Sequence, residues 1–305
     1  MMRDDAVAPV IAAMLVLAVI VTFFAVWNAT AIPSMKAQAE VSHLHDVEEG
    51  MLRFSSDIDT AASMPANMKL SERIPLGGGD ILYSSTKSGG TLTVQREEPY
   101  MEITVKNSSF TKNPVFYLSN ISYNPVGNFW QDQGYTWSHG YVNVTKGDLS
   151  VPLDYPTLQD VTYDEFTSTL FDIEVESYDE THRNCSILRI KSVNIRPLEF
   201  GSSLSGNGVG VLALNSTVKK SGVPYYNISE IQINTSVSAI HDTNFEDAMY
   251  NAVNTSLNNS NLLACSNIES VTYSPPAEPR LITIKIGDPK VMFLRQTTTI
   301  LIGTQ

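Results

Sequence analysis

The chain has 305 residues, 43% of them apolar and 17% charged, which allows an extended element plus one or two globular units and excludes a disordered chain. A net charge of −12 leaves no basic face for phosphate, so no nucleic-acid partner is expected. There is no GxSxG, HExxH, P-loop or GxGxxG element and no clustering of the five histidines, so no catalytic, cofactor or metal site is expected and the chain does not read as an enzyme.

The first element is a run of 22 residues without charge, from Ala6 to Trp27. As a helix it spans about 33 Å, the thickness of a bilayer's hydrocarbon, and Trp27 closes it where an interfacial aromatic belongs. Three readings compete. A secretory signal peptide would use Ala29-Thr30-Ala31 for cleavage, but the run exceeds the usual apolar region and Met1–Asp5 sets one Arg against two Asp. An uncleaved anchor is the second. The third is a leader cut ahead of the apolar run, with the helix retained.

Residues Ala6-Val7-Ala8-Pro9-Val10-Ile11-Ala12 resemble the AVSPVIG signature that opens archaeal type IV pilin-like proteins. Ala8 stands in place of the usual Ser and Ala12 in place of Gly, and the leader lacks the customary basic cluster. The resemblance implies a prepilin peptidase cut at the charge-to-apolar junction, after Asp5 or Ala6, so that Ala6 or Val7 becomes the first mature residue. Residues 1–6 are then a leader peptide. The helix would sit in the membrane before assembly and among other pilin-like subunits in a filament core afterwards. The protein would be single-pass, with its N-terminus cytoplasmic and its head extracellular. The large head implies a minor structural subunit of a surface filament. The alternative is a membrane-anchored protein that does not polymerise and binds the S-layer, glycans or other cells.

Residues 34–64 follow as an amphipathic helix, giving one N-terminal helical region over 7–66, with 7–27 as its transmembrane or filament-core part. Pro33 either starts a second segment or kinks a continuous one. Leu44, Val47, Met51, Phe54, Ile58 and Ala61 recur at alternating spacings of three and four, a narrow apolar seam. The seam is expected to pack on the protein's own head, on neighbouring helices, or on each along different lengths. Asp46, Glu48, Glu49, Ser55, Asp57 and Asp59 are expected on the solvated side, and so is His43-Leu44-His45-Asp46. Its two histidines, two residues apart, cannot share a helix face to bind metal. Gly50 weakens the helix without a reason legible in the sequence.

After Pro65 the chain turns β-rich, and the fold class expected is α+β: a long helix followed by a sandwich-like extracellular head. Residues 67–200 form its first part. Thr91–Val94 and Met101–Val105 read as paired strands, as do Val115–Leu118 with Tyr141–Val144; Ile173–Val175 and Ser186–Ile190 follow as further strands. Asn124–Trp137, rich in aromatics and Gly, reads as a packed hairpin or a carbohydrate-stacking loop. Gly201–Gly210 is the best internal boundary, and 201–305 a second β-rich part with one short helix. There Val211–Leu214 and Ile231–Asn234 suggest a hairpin, and Thr243–Glu246 a capping box with Phe245, Met249 and Val253 on one face. Leu281–Ile286 and the apolar runs to Ile302 close a sheet.

Outside the cell, Cys185 and Cys265 would form one disulfide; inside, they would be buried thiols. Asn-X-Ser/Thr occurs ten times, where about four are expected by chance, and never between Thr30 and Lys106. Asn28 lies too near the bilayer, leaving Asn107, Asn120, Asn143, Asn184, Asn215, Asn227, Asn234, Asn254 and Asn258 as glycosylation candidates. The enrichment favours a glycosylated, non-cytoplasmic head; the alternative is the simple Ser/Thr/Asn richness of a β protein.

Overall fold

The computed structural model describes residues 7–64, 66–78, 88–128, 132–155, 161–198, 202–220, 225–237, 243–274, 280–288 and 290–304. The proposed leader, with Asp5 and Ala6, lies outside them, and so do Phe129, Trp130 and His241.

One helix, α1, runs from Val7 to Ser63 without interruption. Its 57 residues make a rod of about 86 Å. Pro33 lies within it, so the helix neither ends nor restarts there. The missing Pro33 N–H leaves one carbonyl a turn earlier without its helical donor, a local cost the flanking turns absorb. Beyond α1 come β1 (Met68–Pro75), β2 (Gly89–Asn107), β3 (Thr111–Lys112), β4 (Val115–Val126), β5 (Gly134–Ser138), β6 (Tyr141–Lys146) and β7 (Leu149–Pro152). Then follow α2 (Asp164–Leu170), β8 (Phe171–Asp179), β9 (Asn184–Pro197), β10 (Ser202–Gly206), β11 (Val209–Lys220) and β12 (Tyr225–Asn234). The last elements are α3 (Thr243–Asn259), β13 (Ile268–Tyr273), β14 (Leu281–Ile286) and β15 (Val291–Thr304). A long apolar helix and a large, mainly antiparallel sheet define an α+β protein.

The fifteen strands belong to one hydrogen-bonded sheet whose main path is β1-β11-β15-β12-β2-β4-β5-β6-β7. Two long strands organise it. One edge of β15 is covered by β9, in parallel, over Met292–Ile302; the other meets β12 at Val291 and Phe293 and β11 over Gln296–Thr304. β2 is bordered by β4 on one edge and by β10 and then β12 on the other. Turn spacing alone reads as a two-sheet sandwich. The pairings instead form one continuous sheet, and the distal half of α1 touches β1, β11 and β15 from one end of the path and β5 and β6 from the other. The sheet therefore curls around the helix.

Three pairings differ from those the sequence suggests. Thr91–Val94 and Met101–Val105 are two halves of the same strand, β2; its register shifts on either side of Pro99, and each half pairs with β4. The bulge resets the alternation, so one strand looks like two. Val115–Leu118 (β4) and Tyr141–Val144 (β6) are separated by β5. Val211–Leu214 (β11) and Ile231–Asn234 (β12) are separated by β15. Alternating apolar residues report which face of a strand is buried, not which strand lies beside it. Ile173–Val175 and Leu188–Ile190, legible as strands but not as partners, pair with each other in β8 and β9. Strands from both sides of Gly201–Gly210 interleave, so 67–200 and 201–305 are two stretches of one sheet.

Candidate functional site: the helix, its seat and a lateral cleft

The first half of α1 is apolar and bare. From Pro9 to Thr30 every side chain is exposed, Leu15 at 63% and Val19 at 67%, and the apolar window reaches a mean hydropathy of 2.8. Polar side chains there satisfy themselves within the helix: Thr22 Oγ1 donates to Ala18 O, Asn28 Nδ2 to Phe24 O and Thr30 Oγ1 to Val26 O. This is how polar groups are kept where water is scarce. The helix is long and apolar enough to cross a membrane.

The second half is seated in the head. Leu44, Val47, Met51, Phe54, Ile58 and Ala61 are all buried in the single core that also holds Ile74, Leu92, Trp137 and Ile302. Gly50 has a physical reason here: a Cβ at that position would stand 2.7 Å from Ile74 Cδ1 and 3.3 Å from Arg73 O. The missing side chain lets β1 approach the helix.

Polar side chains tie the same helix to aromatics of the sheet, a feature the apolar pattern does not carry. His43 is buried, and its Nε2 lies 2.9 Å from Tyr123 Oη, which in turn donates to Leu76 O at 3.3 Å. Tyr135 donates to Glu48 Oε2 at 2.9 Å, and Trp137 Nε1 donates to Ser55 Oγ at 3.1 Å. His43 and Ser55 are thus not on the solvated side; they lie under the curl of the sheet. His45 is exposed, so the two histidines diverge as helix geometry requires, and no group of three or more metal-binding side chains occurs among the described residues. Burial holds His43 below its ordinary pKa and pushes Tyr123 up to about 12. Asp59, half-buried and facing the charge of Glu165 on α2, is raised to about 6, mainly by desolvation. Of the aromatic stretch, Tyr135 and Trp137 are core residues beneath α1.

On the head, Cys185 and Cys265 are joined by a disulfide, with Cα atoms 5.5 Å apart. It ties the start of β9 to the turn after α3, and Asn267 doubles the link by accepting from Cys185 N–H and donating to Cys185 O. None of Asn107, Asn120, Asn143, Asn184, Asn215, Asn227, Asn234, Asn254 and Asn258 is buried; Asn227 and Asn258 are exposed and the other seven half-buried. They are spread over β2, β4, β6, β9, β11, β12 and α3.

A cleft of ≈ 340 Å³ opens beside the β2 bulge. It is lined by the β2 stretch Arg96–Tyr100, by Leu118 of β4, His139 and Thr235, and by Phe245 and Glu246 at the start of α3. His139 takes a left-handed backbone, φ 51°, in the tight turn between β5 and β6. Its ring packs on Phe245 with centroids 4.4 Å apart. The next residue, Gly140, has φ 90° and stands where a Cβ would lie 2.5 Å from the Phe166 ring. Ser138 Oγ donates to Glu97 Oε1 at 3.0 Å and lies 3.1 Å from His139 Nδ1, while Glu97 Oε2 faces His139 Nε2 at 3.5 Å. Glu246 is buried against Arg280 and accepts from Ser236 Oγ. Sequence reading missed this cleft, because its residues come from five separated segments and carry no spacing signal.

No family model, curated protein or solved structure matches the chain.

Proposed function

We propose that the chain is a structural subunit, of the minor kind, of an archaeal type IV pilus-like surface filament. One observation carries the reading: a single unbroken helix presents 22 exposed residues, all but three of them apolar, at one end and is buried in the head's core at the other. Bare apolar surface on that scale needs a partner, either lipid or the same segment of other copies. The direct seat in the head leaves no linker between that segment and the folded mass. In this reading prepilin peptidase cuts after Asp5 or Ala6, the helix waits in the membrane with the head outside, and then joins a filament core. The disulfide and the sequons, none of them buried, support an oxidising, glycosylating exterior.

The second reading keeps the anchor and drops polymerisation: a surface protein contacting the S-layer, glycans or other cells. Uninterrupted helix across Pro33 is as good for a stalk as for a filament core, which is why this reading stands beside the first.

N-terminal sequencing of the protein from its own membranes, together with a search for it in purified filaments, separates them. Ala6 or Val7 as first residue, with the chain present in filaments, is the expected result. A start at Ile32 overturns the filament reading, since signal peptidase would have released the head. Met1 or Met2 as first residue, and absence from filaments, leaves the anchored surface protein.

A further inference from the structure

With 32 acidic residues against 20 basic, the overall charge of the chain hides one basic face. Lys69, Arg73, Arg196 and Lys219 are all exposed. Strand register places them on one side of the sheet. Lys69 stands opposite Asn215, Asn215 opposite Leu301, and Leu301 opposite Arg196, in a single row across β1, β11, β15 and β9. The row is about 14 Å long. Arg73 lies farther along β1 from Lys69, and Lys219 farther along β11 from Asn215, each by about 13 Å. Alternation keeps all four off the face on which Leu214, Ile300 and Ile302 are buried with α1. Glu72, the sole carboxylate of these four strands, stands opposite Leu212 and belongs to that other face. None of the four cations meets a carboxylate among the described residues.

The middle of this face is apolar. Leu198 is 52% exposed and lies over Gly303, where a Cβ would stand 3.1 Å from Leu198 Cβ. Leu301 and Ala213, the neighbours of Gly303 on the same side, are half-buried. An apolar centre inside a charged rim is the anatomy of a protein interface. A polyanion would meet the cations and leave the centre wet; a protein surface covers both.

The acid that answers these cations is carried by the same chain. Asp164 and Glu165 are exposed at the start of α2, and the charge of Glu165 acts on Asp59 of α1. None of the three is paired with a cation among the described residues. α1 lies on the buried side of the sheet, so within one molecule the strands stand between the two groups. Two copies of the basic face cannot meet across a two-fold axis, because like charges would be opposed. The acidic corner of another copy can meet it, in a heterologous contact that continues from one copy to the next.

We propose that the face bearing Lys69, Arg73, Arg196 and Lys219 docks on the Asp59, Asp164 and Glu165 corner of a second copy of this chain. The contact rests on the filament reading for its setting, and on the head alone for its chemistry. The face measures about 26 Å by 14 Å, small for a stable pair of free molecules. It is therefore weak by itself and is completed when copies stand side by side. Asn215 lies in the middle row, so a glycan there and a docked copy exclude each other.

The test uses the full chain in detergent, made without glycans, as an equal mixture of light and heavy isotope-labelled copies at about 200 µM. A carbodiimide joins lysine to carboxylate where the two touch, and mass spectrometry identifies links between copies. Links from Lys69 or Lys219 to Asp164 or Glu165 are expected, at least about fivefold fewer at about 0.5 M salt. Lys69→Glu with Arg196→Glu should reduce cross-linked mixed dimer about fivefold or more, and so should Asp164→Lys with Glu165→Lys. All four changes in one chain should restore it, since opposite charges face each other again. Lys112→Glu with Lys146→Glu, the same charge change at exposed positions elsewhere, should leave it unchanged. Rescue also shows that the reversed chains fold. Absence of links between copies, links that persist through both reversals, failure of the four changes to rescue, or binding of polyphosphate in place of a copy overturns the proposal. Such a failure leaves the filament reading standing on α1, where N-terminal sequencing tests it separately.

Discussion

At the scale of single residues, the polar groups beneath α1 have opposite responses to pH. Asp59 has a folded pKa of about 6 against 3.8 for the free side chain. Its ionised form therefore disfavours the fold, and stability from this group is full below pH 4 and is lost as pH rises through 6. Asp59→Asn should stabilise the protein by about 1 kcal/mol at pH 8 and by nothing at pH 4, read from thermal unfolding at the two values. His43 runs the other way. Burial depresses its pKa, so its stabilising neutral form is complete above 6.5 and is lost as pH falls further. Tyr123→Phe removes the partner of His43 and the donor to Leu76 O, and should cost about 1–3 kcal/mol by the same measurement at pH 8. These groups were not legible in the sequence. A His or Ser beside an apolar seam has the same spacing whether the sheet covers it or not, and here the curl of the sheet decides.

At the scale of elements, the seam was legible and its seat was not. Alternating spacings of three and four identify an apolar stripe, and burial of Leu44 to Ala61 follows directly from it. The same stripe serves a helix partner or a sheet partner, and only the sheet's two ends meeting on α1 choose between them. Phe54→Ala should cost about 3–5 kcal/mol, because the cavity would open in a core closed on all sides. Denaturant unfolding monitored at the buried Trp137 would show the shift. Gly50 illustrates a signal that could be seen but not interpreted: a helix-weakening residue becomes meaningful once β1 is known to press on it. The disulfide closes a loop with a sequence separation of 80 residues. Replacing both cysteines by Ser should lower stability by about 2–4 kcal/mol, measured against the intact chain under non-reducing conditions.

At the scale of the whole molecule, the chain is two solvents' worth of surface on one rod. Residues 9–30 of α1 are exposed throughout, while its distal half fills the head. A chain begun at Ala31 should therefore be soluble without detergent and keep its melting temperature within about 2 °C. One begun at Asn67 should lose cooperative unfolding altogether, since the sheet would curl around a void. Either result is read by calorimetry. The α+β class and the unbroken apolar run followed from the sequence. The order of strands did not, because pairing between residues far apart in the chain leaves no mark on either alone. That order has a consequence in time. The strand β15 is made after every one of the strands it pairs with, β9, β11 and β12. Until Val291–Thr304 emerges, those three strands each present an open edge. Closing of the head is thus a late, long-range and slow event. A chain stalled before it would be the aggregation-prone form of this protein, and the one a cell must guard.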